Sequence, residues 1–419
     1  MITSTQRPKT PVAKQLKLFT NEEKRVEQYR SEPAPTRPES VTPATNPASL
    51  NLNWRERDLP ERERTKHVHR LHPYLGKFIP QLVEIFLRMY FKSGDTVLDP
   101  FSGSGTTLVE ANGLGIHSVG CDISQFNCLL ASVKTQKYDT QLAENEVLEI
   151  LERTREASQP SLFHKRNGKS RQLHTSSSYL RQWFAPAARR ELLTYLSFIN
   201  DYQYQDLLKV ILSRAARSAR LTTHFDLDFP KKPQTEPYQC YKHSRVCEPV
   251  QEAMRFLRRY SLDTIRRVKE FAALRTDAEV HVLCGDAWQI VPPRPINGII
   301  TSPPYVGLID YHEQHRYAYE LLGLPDNREL EIGAAARGSS NAAKQKYQQA
   351  ITDVFRNASR FLRTGDPAII VVHDKHSLYP EISDSCGFSV EHVIERHVNR
   401  RTGRRSGEFF EQIYIWRRR

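Results

Sequence analysis

The stretch DTVLDPFSGSGTTLVEANGLGIHSVGCD, residues 95–122, decides the fold of this chain. It begins with a short apolar run over residues 96–98 that ends on Asp99, and the glycine-rich turn FSGSG follows closely. The apolar run predicts a buried strand. Gly103 and Gly105 in the turn can take positive φ angles and let the backbone approach a ligand closely. The stretch therefore predicts a ligand site at the end of its first strand.

A helix and a second strand complete this unit. Residues 106–111 predict a helix whose first amides and positive dipole end face the turn. Residues 118–121 predict a strand that ends on Asp122, whose carboxylate is suited to bridge the two hydroxyls of a ribose. The turn lacks the G-K-[ST] ending of a phosphate-binding loop and differs from G-x-G-x-x-G. A nucleoside ligand without a phosphate therefore fits better than ATP or NAD, although this stretch alone leaves a plain strand–helix turn open.

Length and composition restrict the class of protein. The 419 residues suffice for a full catalytic domain with an inserted or second domain. Lysine and arginine outnumber the acids by 61 to 48, and the net charge of +13 favours a polyanionic partner. The six cysteines are scattered, no signal peptide is evident, and no apolar run approaches the roughly 18 residues of a membrane span. We expect a soluble cytoplasmic protein of prokaryotic type, associated with the nucleoid.

The strand pattern returns after residue 278 and brings a second motif. Residues 280–283 predict a strand that leads into Cys-Gly-Asp-Ala, and residues 296–300 predict another that leads into Thr-Ser-Pro-Pro-Tyr, residues 301–305. Ligands of a doubly wound sheet gather beyond the carboxyl ends of its strands. We therefore expect four side chains at one edge of the sheet: Asp99, Asp122, Asp286 and Ser302.

Together, DPFSGSGT and TSPPY resemble the motifs of the amino-methyltransferases that modify exocyclic amines of DNA bases with S-adenosylmethionine. The resemblance covers residues 66–123 and 279–416 and implies an α/β fold with a doubly wound, mostly parallel, Rossmann-like sheet. It implies that Asp286 accepts a hydrogen bond from the adenine amino group of the cofactor. It also implies that HPYLGKFIP, residues 72–80, closes over the methionine end. The cofactor-binding residues implied in this way are Lys77, Phe78, Asp99, Phe101, Gly103, Gly105, Thr106, Asp122, Asp286 and Ala287.

The chemistry of amine methylation explains the Ser-Pro-Pro-Tyr turn. An exocyclic amine is a poor nucleophile because its lone pair is delocalised into the ring, and two facing acceptors can localise that pair. In the family pattern these acceptors are the Ser302 side chain and the Pro303 carbonyl, and the two prolines, Pro303 and Pro304, stiffen the turn. Tyr305 offers a flat face to a base swung out of the helix. Transfer is then direct, from the sulfonium to the amine, without a cysteine nucleophile.

The residue before Pro-Pro bears on the substrate. Family members with an acid or asparagine there generally act on adenine, whereas serine is associated more often with the N4 amine of cytosine. Ser302 therefore favours cytosine-N4 methylation of duplex DNA, with adenine-N6 methylation as the alternative. An RNA amino-methyltransferase and a catalytically idle DNA-binding protein are further alternatives. The sequence leaves open the recognised site, the oligomeric state and whether a cognate restriction endonuclease accompanies the enzyme.

The sequence divides into three predicted segments. Residues 1–50 are rich in proline, polar residues and charge, which predicts a mobile basic tail. Residues 54–123 and 279–419 are expected to form the catalytic domain. Residues 124–278 predict a largely helical insertion, our candidate for the target-recognition region. The insertion precedes the strand before Gly-Asp-Ala, rather than lying directly beside the catalytic motif as the family pattern suggests.

Basic side chains within these segments are candidates for phosphate contact. The predicted helix over residues 206–220 places Arg214 and Arg217 on one face, although a merely solvated basic face explains them as well. Arg337 lies in a glycine- and serine-rich loop close to the catalytic turn. The loop between the last two predicted strands adds three further candidates: Arg401, Arg404 and Arg405.

Two histidine-containing groups raise the question of a metal. Cys240, His243 and Cys247 have spacing compatible with zinc, but a structural site normally needs four ligands and the sequence shows no well-spaced fourth. A packed or substrate-contacting turn is therefore the favoured interpretation. The histidines of the KHVHRLH segment, residues 66–72, lack a neighbouring acid or cysteine set. We predict no metal at either place.

Overall fold

The computed structural model describes residues 34–76, 78–158, 175–305, 310–333, 338, 340–398 and 409–419. Its strands are β1 (Thr96–Asp99), β2 (His117–Asp122), β3 (Tyr238–Cys240), β4 (Arg245–Cys247), β5 (Val280–Cys284), β6 (Gly298–Thr301), β7 (Pro367–Val372), β8 (Phe388–Val398) and β9 (Phe409–Arg418). Seven of them form the central sheet in the order β5-β2-β1-β6-β7-β9-β8. Strands β3 and β4 form a separate antiparallel hairpin.

Helices connect and cover these strands. In the described residues they are α1 (Glu61–Arg64), α2 (Pro80–Tyr90), α3 (Thr106–Gly113), α4 (Gln125–Thr135), α5 (Thr140–Ser158), α6 (Ser178–Trp183), α7 (Pro186–Phe198), α8 (Gln205–Ala219), α9 (Met254–Ala272), α10 (Tyr311–Gln314), α11 (Arg316–Leu322), α12 (Asn341–Ser359) and α13 (Tyr379–Ser385). None of them is both long enough and apolar enough to cross a membrane.

The order of the central sheet places its switch point beside β1. Strands β5, β2, β1, β6 and β7 are parallel, and β9 and β8 add an antiparallel edge. The chain runs outward from β1 through β2 to β5, and it then returns to the other side of β1 through β6 and β7. Such a reversal opens a crevice at the carboxyl ends of the strands. The predicted doubly wound, mostly parallel Rossmann-like fold with a largely helical insertion is confirmed.

The central strands are apolar on both faces because helices cover both. Val97 faces a cluster that includes the buried side of α2, whereas its neighbour Leu98 faces a cluster that includes α12. Every residue of β7 is buried, as expected for a strand inside a parallel sheet. Successive side chains of a strand pack against opposite faces of the sheet. This alternation fixes the register of the strand and therefore the direction of the side chains at its end.

Helices α5 to α9 of the insertion share one apolar cluster with α4, α11 and the segment around residue 70. Buried acids fix the helix starts: the Glu146 carboxylate accepts hydrogen bonds from the amides of Gln203 and Tyr204, just before α8. Glu191 likewise accepts from the amides of Ala253 and Met254 at the start of α9. The insertion is thus packed against the catalytic segments by a continuous core.

The structure differs from the sequence expectations in two places. Residues 34–50, which the composition assigns to a mobile tail, are held against the fold: Pro38 and Val41 are buried, and the Thr36 amide donates to the Asn51 carbonyl. The β3–β4 hairpin was not predicted, because its strands have only three residues each.

Candidate active site

A cavity of about 820 Å³, including its open mouth, lies at the carboxyl ends of β1, β2, β5 and β6. It brings together motifs that are far apart in the sequence. From the predicted set, its walls contain Phe78, Phe101, Gly103, Thr106, Asp122, Asp286, Ala287, Ser302 and Pro304. The expectation that the glycine-rich turn and the Ser-Pro-Pro-Tyr turn meet at one edge of the sheet therefore agrees with the geometry.

The glycine-rich turn lies too close to its neighbours for side chains. Gly105 has a φ of 79°, and a Cβ atom there would stand 2.9 Å from the Cβ of Ala131 in α4. Gly103 has a φ of 49°, and its Cβ would stand 3.0 Å from the Tyr74 hydroxyl. Gly105 does not line the cavity. It lets the start of α3 pack on α4, whereas Gly103 forms part of the cavity wall.

Asp122 lies deep in the protein but remains open to the cavity. Its Oδ1 accepts from the Ser124 amide at 2.8 Å and the Asn127 side chain at 3.0 Å, and its Oδ2 accepts from the Gly103 amide at 2.9 Å. Burial raises the pKa of Asp122 to about 6, against the lowering effect of these donors. A carboxylate offers about four acceptor positions, and three are already used. Most of its acceptor capacity is thus used within the protein, and the bridge to both ribose hydroxyls stays a prediction.

Asp99 is fully buried beneath the cavity and does not line it. Its carboxylate accepts from the hydroxyls of Thr107 and Thr301, both at 2.6 Å, and from the Phe101 amide at 3.2 Å. Burial raises the pKa of Asp99 to about 6. The expected cofactor contact by Asp99 is replaced by a positioning role, because the carboxylate joins the ends of β1 and β6 to α3.

The Gly-Asp-Ala turn is tied to β2. The Gly285 amide donates to the Asp122 carbonyl at 3.0 Å, and the Cys121 thiol donates to the Gly285 carbonyl at 3.3 Å. On the other side, the Asn357 side chain donates to the carbonyl of Ala287. These contacts hold Asp286 at the cavity wall, across from the glycine-rich turn.

Two buried acceptors at the cavity were missed by the sequence analysis. Glu331 is 5% exposed, and its Oε1 accepts from the amide of His312 and contacts the ring Nδ1 of the same residue. Within the described part of the chain, Oε2 of Glu331 and Oδ1 of Asn127 have no hydrogen-bond partner. Buried acceptors are normally satisfied. A ligand that brings hydroxyl or ammonium donors would satisfy both.

An aromatic cluster adjoins one of these acceptors. The Tyr74 ring stacks with Tyr311, with centroids 5.5 Å apart, and with His315, at 5.6 Å. Its hydroxyl accepts from Asn127 at 3.1 Å. Tyr74 belongs to the HPYLGKFIP segment, so its position follows the motif although it was not singled out. Lys77 of the same segment lies outside the described residues.

Residues of the Ser-Pro-Pro-Tyr turn line two cavities, the one described above and a second one. Ser302 and Pro304 line the first, and Pro303 is buried. Tyr305 instead lines a cavity of about 430 Å³ together with Tyr347, His373, Asp374 and Tyr379, among others. The Tyr347 hydroxyl donates to the Pro304 carbonyl at 2.9 Å. The turn is thus fixed from the side of the second cavity.

A buried ion pair holds the Tyr305 ring. The Tyr305 hydroxyl donates to Oε1 of Glu411 at 2.9 Å, and Oε2 of Glu411 accepts from the Arg396 guanidinium at 2.9 Å. Both partners are buried, on β9 and β8 respectively. Burial and the Glu411 charge place the pKa of Tyr305 well above its usual range. Glu411 was missed because no motif surrounds it.

Of the predicted phosphate-binding arginines, the two described ones are engaged within the protein. Arg214 is 7% exposed and pairs with Asp263 at 2.8 Å, and Arg217 pairs with Asp228 at 2.6 Å. The predicted phosphate-binding face is therefore corrected to a set of internal ion pairs. Arg337, Arg401, Arg404 and Arg405 lie outside the described residues. Exposed arginines occur on α9 instead: Arg255, Arg258 and Arg259, whereas the exposed Arg266 pairs with Asp263 at 2.6 Å.

The KHVHRLH histidines lie beside an acid that the sequence did not reveal. His69 Nε2 is 2.7 Å from Oε1 of Glu110, which belongs to α3. The ammonium of Lys66 donates to the other oxygen of Glu110 at 2.7 Å. This carboxylate therefore already has a cationic partner from the protein, and the expectation of no metal here is kept as a prediction.

A cavity at the switch point of a doubly wound sheet, with acids at the strand ends and Ser-Pro-Pro-Tyr at its edge, defines the architecture of a nucleoside-cofactor methyltransferase. The family model N6_N4_Mtase, described as DNA methylase, matches residues 1–133. The chain is 40% identical over 430 residues to the Type II methyltransferase M.MjaII of Methanocaldococcus jannaschii, covering 85% of this chain and 81% of the relative. The chain belongs to the DNA amino-methyltransferases, and its cofactor is S-adenosylmethionine.

Two further relatives match less of the chain. The Type II methyltransferase M.BsoBI of Geobacillus stearothermophilus is 24% identical over 315 residues, covering 68% of this chain and 58% of the relative. A tRNA (guanine(10)-N2)-dimethyltransferase of Methanocaldococcus jannaschii is 37% identical over 73 residues, covering 17% of this chain and 20% of the relative. The similarity to the tRNA enzyme is therefore local, whereas that to M.MjaII extends over most of both chains.

Proposed function

We propose that the protein methylates the exocyclic N4 amine of cytosine in duplex DNA, at a specific site, by direct transfer onto a flipped base. The observation that carries this proposal is Ser302, the first residue of Ser-Pro-Pro-Tyr, at the wall of the large cavity. Serine at this position is associated with cytosine in the family that the motifs resemble. Adenine-N6 methylation is the alternative, and DNA amino-methylation is common to both.

The cavity of about 820 Å³ at the carboxyl ends of β1, β2, β5 and β6 is the proposed cofactor site. Its unpartnered acceptors, Glu331 Oε2 and Asn127 Oδ1, fit a ligand with ribose hydroxyls and an α-ammonium group. Asp122 accepts from the ribose hydroxyls, and Asp286, next to Ala287, accepts from the adenine amino group. Phe78 and Phe101 supply apolar walls, with Gly103 and Thr106 beside them. Bound S-adenosylmethionine supplies an electrophilic methyl group on a sulfonium.

The second cavity is the proposed pocket for the target base. Tyr305 lies at its wall and offers the ring on which the base stacks. The Ser302 hydroxyl and the Pro303 carbonyl accept from the amine and localise its lone pair. The Tyr347 hydroxyl bonds to Pro304, which fixes the turn without engaging the Pro303 carbonyl in that bond. As its nitrogen gains the methyl group and the methyl–sulfur bond breaks, the amine releases one proton to solvent.

We assign target recognition to the helical insertion, residues 124–278, between catalytic segments 54–123 and 279–419. Three exposed arginines of α9, Arg255, Arg258 and Arg259, replace Arg214 and Arg217 as the proposed phosphate contacts, because their charges face solvent. Contacts by Arg337, Arg401, Arg404 and Arg405 remain predictions. Since two relatives are named Type II methyltransferases, we also propose a role in restriction–modification with a cognate restriction endonuclease.

The experiment is to incubate the protein with methyl-labelled S-adenosylmethionine and duplex DNA, and to separate the labelled nucleosides. We expect N4-methylcytosine, and a loss of about 100-fold or more in rate for Ser302→Ala. The matched control is Ser389→Ala, at an exposed serine on β8. Label found only in adenine would show adenine-N6 methylation in place of cytosine-N4 methylation. Label found only in RNA would contradict a DNA substrate.

A further inference from the structure

Four potential metal ligands meet in the segment between α8 and α9. His224 lies in the loop after α8, Cys240 ends β3, His243 lies in the hairpin turn, and Cys247 ends β4. One ligand atom from each of the four lies within 4.8 Å of the others. Three of these residues have zinc-compatible spacing in the sequence, where no fourth ligand is evident. His224 is the missing member, 16 residues before Cys240 and brought back to it by the loop.

The distances agree with tetrahedral coordination. His243 Nδ1 is 3.4 Å from Cys247 Sγ and 3.6 Å from Cys240 Sγ. His224 Nδ1 is 3.7 Å from Cys240 Sγ. Zinc bonds of about 2.3 Å to sulfur and about 2.0 Å to nitrogen, at a tetrahedral angle, separate N and S ligands by roughly 3.5 Å. The four atoms are therefore already arranged around a position that a zinc ion fits.

The segment has little else to hold it together. Strands β3 and β4 contain three residues each, and an isolated two-stranded hairpin is at best marginally stable in water. Its larger apolar side chains point outward: Tyr241 is 81% exposed, and Val246 and Phe225 are also exposed. The two cysteines, by contrast, are buried. The inner side of the hairpin thus consists of ligand atoms rather than of an apolar core.

We propose that His224, Cys240, His243 and Cys247 bind one Zn²⁺ in a structural site that ties the hairpin to the loop after α8. Two thiolates and two imidazoles form a ligand set that zinc prefers, whereas magnesium and calcium prefer oxygen. Four protein ligands close the coordination sphere, so the site has no open position for a catalytic water. As the ion binds, each cysteine releases its thiol proton to solvent.

One existing contact must change for zinc to bind. The Tyr238 hydroxyl lies 2.9 Å from His224 Nδ1, the atom that faces the cysteines. It also accepts from the His224 amide at 3.0 Å, and this second hydrogen bond can remain when Nδ1 binds the metal. None of the four ligands lines either cavity at the Ser-Pro-Pro-Tyr turn. The zinc proposal is therefore independent of which base the protein methylates.

The first test measures the metal in the untagged full-length protein, purified under reducing conditions from zinc-supplemented cells. Elemental mass spectrometry should find about one equivalent of zinc per chain. His224→Asn and Cys247→Ser should lose most of it. The matched control is Cys284→Ser, which removes an exposed thiol outside the cluster and should retain the metal. A wild-type protein without zinc, which also takes up none when the ion is added, would overturn the proposal.

A second measurement avoids variants that fail to fold. The wild-type protein, stripped with a chelator and loaded with Co²⁺, should show thiolate-to-cobalt charge-transfer absorption and the visible bands of a tetrahedral ion. Added Zn²⁺ should remove both. A cobalt spectrum without thiolate bands would contradict the ligand set. A Cys240–Cys247 disulfide in the reduced preparation, found by peptide mapping, would replace the metal as the link within the hairpin.

Discussion

The edge of the central sheet and the helical insertion hold their polar groups in different ways. At the sheet edge, Asp99 and Asp122 are carboxylates without an ion-pair partner among the described residues, and each accepts three hydrogen bonds from nearby hydroxyls, amides or a side-chain amide. In the insertion, Arg214 and Arg217 are paired with acids. The first arrangement leaves negative charge to position and bind a ligand. In the second arrangement the arginine charges are neutralised by acids of the protein, so we expect other residues to contact DNA.

The largest expected effect tests whether Asp99 holds the sheet edge together. Asp99→Ala leaves the hydroxyls of Thr107 and Thr301 buried without their acceptor. We expect the free energy of unfolding to fall by about 3 kcal/mol, measured by urea denaturation. Asp277→Ala, at an exposed acid, is the control and should leave the unfolding midpoint unchanged. A stable Asp99→Ala protein with weak cofactor binding would restore the original expectation of a direct cofactor contact.

The next prediction concerns the ion pair behind Tyr305. Glu411→Ala removes the acceptor of the Tyr305 hydroxyl and leaves the Arg396 charge buried. Because the ring is then free to move from the target-base position, we expect kcat to fall roughly ten- to a hundredfold while cofactor affinity stays the same. Single-turnover methylation and calorimetry separate these two quantities. The control is Glu391→Ala, which removes a partly exposed pair with Arg417 between the same two strands. An equal loss of kcat in the two variants would mean that the effect comes from any ion pair between β8 and β9 and not from the contact with Tyr305.

A smaller effect follows from the pKa of Asp122, which burial raises to about 6. Cofactor binding to the ionised carboxylate weakens as pH falls through 6, and at pH 5 the affinity should be about tenfold lower than at pH 8. The stability of the fold changes with pH in the opposite direction. Between pH 4 and 6 the folded state binds more protons than the unfolded state, so the contribution of Asp122 to stability falls as pH rises. Asp99 and Glu331 are nearby acids, so the test compares wild type with Asp122→Asn by calorimetry. A variant with the same pH dependence would assign the effect to those neighbours.

The sheet edge could be predicted from the sequence, whereas much of the rest could not. Asp99, Asp122 and Ser302 each follow a short apolar run, so a strand and its polar end can be read from consecutive residues. Because the carboxyl ends of parallel strands lie at one edge of a doubly wound sheet, these three residues are then expected to lie together. Glu331, Glu411 and His224 have no such local pattern. Each acts only because the packing of distant segments brings it to the site: Glu411 lies 106 residues from Tyr305 and yet accepts its hydroxyl. Helical periodicity likewise predicts the face of α8 on which Arg217 lies. It does not predict the ion pair with Asp228, which depends on how the following loop packs.

The smallest expected effect separates exposed from paired arginines in the insertion. Arg258→Gln removes a solvent-facing charge on α9, and Arg217→Gln removes one that is paired with Asp228. If α9 contacts phosphates, Arg258→Gln should weaken DNA binding about threefold at every sequence and reduce the slope of log affinity against log salt by about one. Arg217→Gln should leave that slope unchanged and lower the stability of the fold instead, because Asp228 loses its partner. Fluorescence anisotropy across a salt series measures both slopes. An equal loss of slope in Arg217→Gln would show that its ion pair opens to reach DNA, and the face predicted from the sequence would then be the correct one.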